Sequence, residues 1–343
     1  MARAAAQPSP PAAPAWRVTT LEQVDLWYHG IALVGFGVAE PAALYDPRYA
    51  PDVRRTKQRM GLAATPLDRA ARAIAGTFGR DPAFEIVHFL PLYFAAADRP
   101  TMLQALRTLA GGDGPPRSRV DAPTGRVVAA LAAVLPEPAQ RTVLRDFAEI
   151  LDDEWRLYMR DEERRSSGVR AAQASALEQR WNAEFAPALA GYLTQIHRER
   201  GTIVLSRALG REGRTVERVG VLMVGAIVAI AAPRSVAPED MTAAAFDVVR
   251  ELCFVTVRAV GHEPDGHSVE PVAGEQASRA AAVRCGALVL QRYLPHYRAA
   301  YQARFLAVRQ PAAPPDTTTD RFVRAFPLTP DVERRLARAI ESP

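Results

Sequence analysis

The stretch from Phe246 to Val260 allows almost no polar exposure, and it limits the folds open to this chain more than any other segment. On a helical wheel of about 100° per residue, Phe246, Val249, Cys253, Val257 and Val260 form an apolar centre. Val248, Leu252, Val255, Thr256 and Ala259 extend it around one side. A helix apolar on nearly all sides has to be enclosed by other elements. Its polar arc, Asp247, Arg250, Glu251 and Arg258 with Phe254 in their midst, is expected to face a cleft or another element and not open water.

The rest of the chain supplies that enclosure mostly as helices. Thr65-Pro66-Leu67-Asp68 joins a capping residue to a proline at the first helical position, ahead of Ala70, Ala71, Ile74 and Phe78. Asp81-Pro82 repeats the start signal, and Thr101 opens another short helix. Two long helical patterns follow, from Pro138 to about Arg165 and from about Val169 to Arg198, with a kink expected at Pro187. The period then changes. Thr202-Ile203-Val204-Leu205, Val219-Gly220-Val221-Leu222-Met223-Val224 and Ile227-Val228-Ala229-Ile230 read as strands, with a turn at Gly210-Arg211-Glu212-Gly213. Pro238 opens the buried helix, Glu275 opens a second one, and Thr329-Pro330-Asp331 caps a final amphipathic helix. The expected class is mainly α with a small β-sheet (α+β). Its predicted parts are a low-complexity Ala/Pro tail over 1–15, a helical subdomain over 16–110, a boundary loop at 111–125, a core at 126–309, a linker at 310–320 and a C-terminal helix within 321–343.

Apolar residues at 48% and charged residues at 24% exclude wholesale disorder. The net charge of +5 does not point to nucleic acid, because basic residues are mixed with acidic ones along most of the chain, as in Asp161-Glu162-Glu163-Arg164-Arg165. Of 43 basic residues Lys57 is the sole lysine, which reads as the codon preference of a GC-rich genome. No apolar run reaches the roughly 18 residues of a spanning helix. Ala2-Arg3-Ala4-Ala5-Ala6-Gln7 has the small-residue character of a signal-peptide end, with no hydrophobic segment before it. A cytoplasmic chain is the expectation for the sequence as it stands, and an exported one if a signal lies upstream. Cys253 and Cys285 sit in apolar helical settings and read as buried thiols that meet only if their helices pack.

Short strands, a buried helix, a loop and a second helix beginning at Glu275 together resemble the catalytic core of gluzincin (thermolysin-like) zinc peptidases over residues 200–295. In that family the first helix carries His-Glu-x-x-His and the second supplies a glutamate as third zinc ligand. In register, this chain reads Arg250-Glu251-Leu252-Cys253-Phe254. The resemblance puts Glu251 at the general base and Glu275 at the third ligand, with Arg250 and Phe254 in both histidine positions. A guanidinium repels a dication and a phenyl ring has no donor atom, so the resemblance implies that zinc is lost. It further implies that Arg250 sits where the metal was and pairs with Glu275, while Phe254 fills the imidazole volume. The same residues are also explained by an ordinary core helix with local ion pairs, Asp247 with Arg250 and Glu275 with Arg279.

Other motifs carry less. His262-Glu263-Pro264-Asp265-Gly266-His267 has turn chemistry, yet with Glu270 or Glu275 it is the one place for an unorthodox metal centre. His29 and His88, in aromatic helical settings, read as satisfied core histidines, and Asp152-Asp153-Glu154 as a solvated acidic face. Ser166, Ser206 and Ser278 lack a nucleophile-elbow context. The functional expectation is a non-catalytic relative of a zinc peptidase with no cofactor, whose residual cleft binds a peptide or protein. The alternatives are an active metal hydrolase using His262, His267 and Glu275, and a helical interaction protein unrelated to peptidases.

Overall fold

Two β-branched runs build the centre of the molecule: β2 (Gly201–Ser206) and β4 (Ala226–Ala231) pair in parallel from Gly201↔Ala226 to Ser206↔Ala231. The computed structural model describes residues 15–36, 44–62, 64–110, 122–216, 226–261, 275–309 and 319–341. Two short strands complete a four-stranded mixed sheet in the order β1-β2-β4-β3. β1 (Trp16–Thr19) lies parallel to β2, and β3 (Arg214–Val216) lies antiparallel to β4. Neither short strand was expected from the sequence. The expected strand at 219–224 lies outside the described residues.

Successive side chains on a strand point to opposite faces, and here each face has its own core. Val18, Ile203, Leu205, Val228 and Ile230 pack with Leu177, Phe185, Val249 and Leu252. Val204, Val216, Ile227 and Ala229 pack with the N-terminal helices, among Leu26, Trp27, Phe147 and Leu151. Helices cover both faces, which is the environment that uninterrupted apolar strands require. Trp16 lies across Gly201, where an added Cβ would collide with its ring. The outer edge of β1 is closed by side chains: Trp16 N–H donates to Asn182 Oδ1 at 3.3 Å, and Val18 N–H to Glu178 Oε2 at 2.7 Å.

Glu178 and Asn182 belong to one long helical run, which replaces the two helices read from the sequence. It comprises Pro138–Glu154, a π turn at Trp155–Met159, Arg160–Arg180, a second π turn at Trp181–Phe185, and the short helices Ala186–Ala188 and Ala190–Gln195. The second π turn has a local cause. Pro187 has no N–H and its ring crowds the carbonyl four residues back, so the turn before it widens and Ala186 N–H reaches Trp181 O. No proline explains the first. The change of core occurs along this run: Leu144 to Met159 pack with the N-terminal helices, and Ala174 onward with the C-terminal ones. Of the boundary loop read at 111–125, residues 111–121 lie outside the described residues, and 122–125 open the helix Ala122–Val134.

The Thr65/Asp68 start signal is a complete capping box on the helix Pro66–Phe78. Asp81 also caps as expected, but the helix it opens, Pro82–His88, is a 3₁₀ helix. The helix Pro238–Gly261 packs on β3 and β4 and against the helix Glu275–Tyr293. Val332, Leu336 and Ile340 of the helix Pro330–Glu341 dock on that pair. No helix among the described residues is long and apolar enough to cross a membrane.

Candidate functional site

The enclosed helix Pro238–Gly261 turns its polar arc inward, and there Arg250 and Glu251 are buried, 6% and 2% exposed. Arg250 donates to Glu251 Oε1 through Nη2 at 2.6 Å and Nε at 3.1 Å, and through Nη1 to the carbonyl of Arg211. Glu251 Oε1 also accepts Gly213 N–H at 3.0 Å, and Thr215 Oγ1 lies 3.5 Å from Oε2. Gly213 has to be glycine, since a Cβ there would run into the carboxylate of Glu251 and the carbonyl of Ala229. Asp247, on the same arc, is held by Arg304 Nη2 at 2.6 Å. Burial works against the Arg250 charge, but the carboxylates of Glu251, Asp247 and Glu212 hold its pKa above the ordinary value. Burial raises the Glu212 pKa against the pull of Arg250, Arg279 and Arg214.

The resemblance pairs Arg250 with Glu275, whereas the observed partners of its guanidinium are Glu251 and Arg211. Glu275 begins the second helix as expected, and its side chain lies outside the described residues. Phe254 is half-buried against the C-terminal core. His262, His267 and Glu270 also lie outside the described residues. Among those described, no group of three or more His, Cys, Asp or Glu side chains is placed to hold a metal ion.

A second polar array, absent from the sequence reading, sits across the sheet. Lys57 Nζ makes three contacts: Glu154 Oε1 at 2.7 Å, Asp68 Oδ2 at 2.8 Å and Thr65 Oγ1 at 3.1 Å. Glu154 Oε1 also bonds His29 Nε2 at 3.0 Å, and His29 Nδ1 meets the Tyr49 hydroxyl at 3.0 Å. The imidazole stacks on Tyr158, in the first π turn, with ring centres 5.7 Å apart. Burial holds the His29 pKa below its usual value despite the nearby Glu154 carboxylate. The ring is therefore neutral, with Nε2–H donating to Glu154 and Nδ1 accepting from Tyr49. Burial opposes ionisation of Glu154 and Asp68 as well, but His29 and Lys57 depress the first, and Lys57 and Thr65 the second. Glu154 Oε2 and Asp68 Oδ1 are buried and reached by no donor.

His29 is thus the satisfied core histidine that its setting suggests. The acidic-face reading of residues 152–154 fails at its last residue, because Glu154 is fully buried while the Asp153 side chain is 48% exposed. The signal that marks the array is Lys57 itself. Three acceptors set around one point match the three donors of an ammonium, and a planar guanidinium does not present that shape. Hydroxyl, imidazole and carboxylate stand in relay order, as in nucleophile-activating triads, but His29 and Glu154 have no exposed surface for a substrate to approach.

His88 is buried in the N-terminal half. Its Nδ1 meets the Tyr45 hydroxyl at 3.0 Å, and burial together with Arg214 and Arg279 lowers its pKa to about 3. The surface offers a groove of about 410 Å³ lined in part by Arg99, Arg107 and Asp152. Its cations are already engaged, since Asp152 accepts from Arg99 at 3.0 Å and from Arg107 at 3.1 Å. No family model, curated protein or solved structure matches the chain.

Proposed function

We propose that the chain is a non-catalytic relative of a gluzincin-type zinc peptidase, retained to bind a peptide or protein partner. The observation that carries the reading is the Arg250–Glu251 contact. A cation fixed in the chain stands at the first histidine position of the motif and donates twice to the carboxylate at the general-base position. The scaffold assigned to the family is a sheet followed by a buried helix and its partner helix, and the packing of Pro238–Gly261 on β3, β4 and Glu275–Tyr293 supports it. Phe254 fills the second ligand position with apolar volume. With Oε1 taken by a guanidinium and a backbone N–H, only Oε2 of this buried carboxylate is left to meet a water, which leaves it poorly placed to activate one.

Elemental analysis of tag-free protein, exposed to zinc and then dialysed, tests the reading first. The expected result is zinc far below stoichiometric. Stoichiometric zinc that disappears in His262→Ala and His267→Ala variants would replace the proposal with a metal hydrolase of unorthodox ligands. Kinship with the peptidases is tested by the double variant Arg250→His, Phe254→His, which rebuilds His-Glu-x-x-His. Tight zinc binding gained by that variant supports the scaffold. A folded double variant that binds no zinc favours a helical interaction protein of separate origin.

A further inference from the structure

The chain has two cysteines, 253 and 285, carried on different helices, and both come to the same place. Cys253 lies in the helix Pro238–Gly261 and Cys285 in the helix Glu275–Tyr293, each without exposed surface. One hydroxyl lies within hydrogen-bond reach of both thiols. The Tyr192 hydroxyl bridges them, 3.5 Å from Cys253 Sγ and 3.9 Å from Cys285 Sγ, while bonding Thr256 Oγ1 at 2.9 Å. The two helices pack along their length, and the buried residues beside Cys285 on the second, Ala281 and Ala282, are small. At Gly286 an added Cβ would collide with the Tyr301 ring.

We propose that Cys253 and Cys285 are a latent disulfide, a modification site that staples the two helices behind the sheet when the chain meets a small-molecule disulfide such as oxidised glutathione. With only two cysteines in 343 residues, unguided placement would rarely bring the sulfurs together. The reaction is thiol–disulfide exchange. One thiolate attacks a sulfur of the reagent and releases one reduced glutathione, and the second cysteine then displaces the other glutathione from the mixed disulfide. Two S–H bonds are lost and one S–S bond forms. The two electrons leave with the reagent, which becomes two thiols.

Burial pushes the Cys253 thiol well above its usual pKa. Neither native thiol has exposed surface, so both are slow to react, and the bond is expected to form while the helices dock. The test is oxidative refolding. Reduced, unfolded chain is diluted into native buffer with a mixture of oxidised and reduced glutathione, quenched with an alkylating agent and weighed intact, and its native circular dichroism is checked. The expected product has lost two hydrogen atoms, carries no alkyl group and melts at a higher temperature than the reduced chain, because a loop of roughly 30 residues is closed. Cys285→Ser is expected to show neither the paired loss nor the higher melting point. Native protein that keeps two alkylatable thiols, that carries glutathione on both cysteines, or that forms the bond only in misfolded material overturns the proposal.

Discussion

The two buried polar arrays occupy opposite sides of one sheet and solve the same difficulty with different chemistry. Behind the sheet, Arg250 and Glu251 are neighbours in sequence, and their surroundings are mostly further arginines and carboxylates. In front of it, Lys57, His29, Glu154 and Asp68 come from four different helices; one ammonium holds both carboxylates, and His29 joins through Glu154. The first array is built of guanidiniums and carboxylates without a histidine, and its several local partners limit the damage when one is removed. The second has a histidine at its centre and a single cation shared by two carboxylates. A buried ion pair tolerates replacement as a unit far better than the removal of one partner. Sensitivity should therefore concentrate at Lys57, where one atom serves three helices.

Mutation can break that comparison, and the largest effect is expected at Lys57. Lys57→Met takes the cation from the fully buried Glu154 and the half-buried Asp68 and should cost about 3–5 kcal/mol in urea denaturation. Lys57→Arg restores the charge but not the shape, and it should recover only part of the loss. Recovery of full stability by arginine would mean that codon preference alone explains the rest of the composition and that the ammonium geometry is unimportant. Glu251→Gln should cost less, about 1–3 kcal/mol, because the amide oxygen still accepts Gly213 N–H while Arg250 keeps the Arg211 carbonyl and the field of Asp247. A loss at Glu251 as large as that at Lys57 would erase the distinction between the arrays.

Acid should separate the two halves. His29 and His88 have folded pKa values below the unfolded 6.5, so between that value and the folded one the unfolded chain binds protons that the native chain refuses. Stability is thus complete above about pH 6.5 and falls as pH drops, by at most about 1.4 kcal/mol per pH unit for each histidine. Protonation of Asp68 and Glu154, whose pKa values are also depressed, extends the loss below the ordinary carboxylate range. The tryptophans divide evenly as reporters: Trp27 and Trp155 belong to the N-terminal core, Trp16 and Trp181 to the C-terminal one. In single-pair Trp→Phe variants, the N-terminal pair should report loosening at higher pH than the C-terminal pair. The smallest effect serves as a control. Arg334→Ala removes an exposed partner of Asp331 and should change stability by no more than about 0.5 kcal/mol.

Much of this was legible in the residues, for reasons that are local. The capping box at Thr65–Asp68, the enclosure of the helix after Pro238 and the apolar stripe of the last helix each depend on spacing within one element, and spacing is what a sequence displays. Trp16–Thr19 is four residues long and is a strand only because β2 offers it an edge far along the chain, so no periodicity announces it. Glu251 could be placed on the polar arc of its helix and a turn at Gly210–Gly213, but not the hydrogen bond by which the one holds the other. Glu154 looked like part of a solvated acidic run, because the first π turn and three distant helices are what bury it. Lys57 was visible as the sole lysine, and its meaning depended on acceptors that only tertiary structure assembles.

The pairing of Trp16 with Gly201 also sets a schedule for synthesis. A ribosome releases β1 first and its partner strand about 185 residues later, a wait of roughly 10–40 s at ordinary elongation rates. Throughout that interval Trp16 and Val18 have no sheet to enter, and Glu178 and Asn182, which close the outer edge of β1, arrive only shortly before β2. The N-terminal helices can gather around Lys57 in the meantime, since Glu154 precedes β2, but the sheet that joins the two cores stays unfinished until β4 is made. Deleting residues 16–19 should therefore do more harm during production than four edge residues suggest. It leaves β2 with an open edge at the moment when crowding by other nascent chains is greatest, and aggregation in the cell, ahead of any loss of melting temperature, is its expected signature.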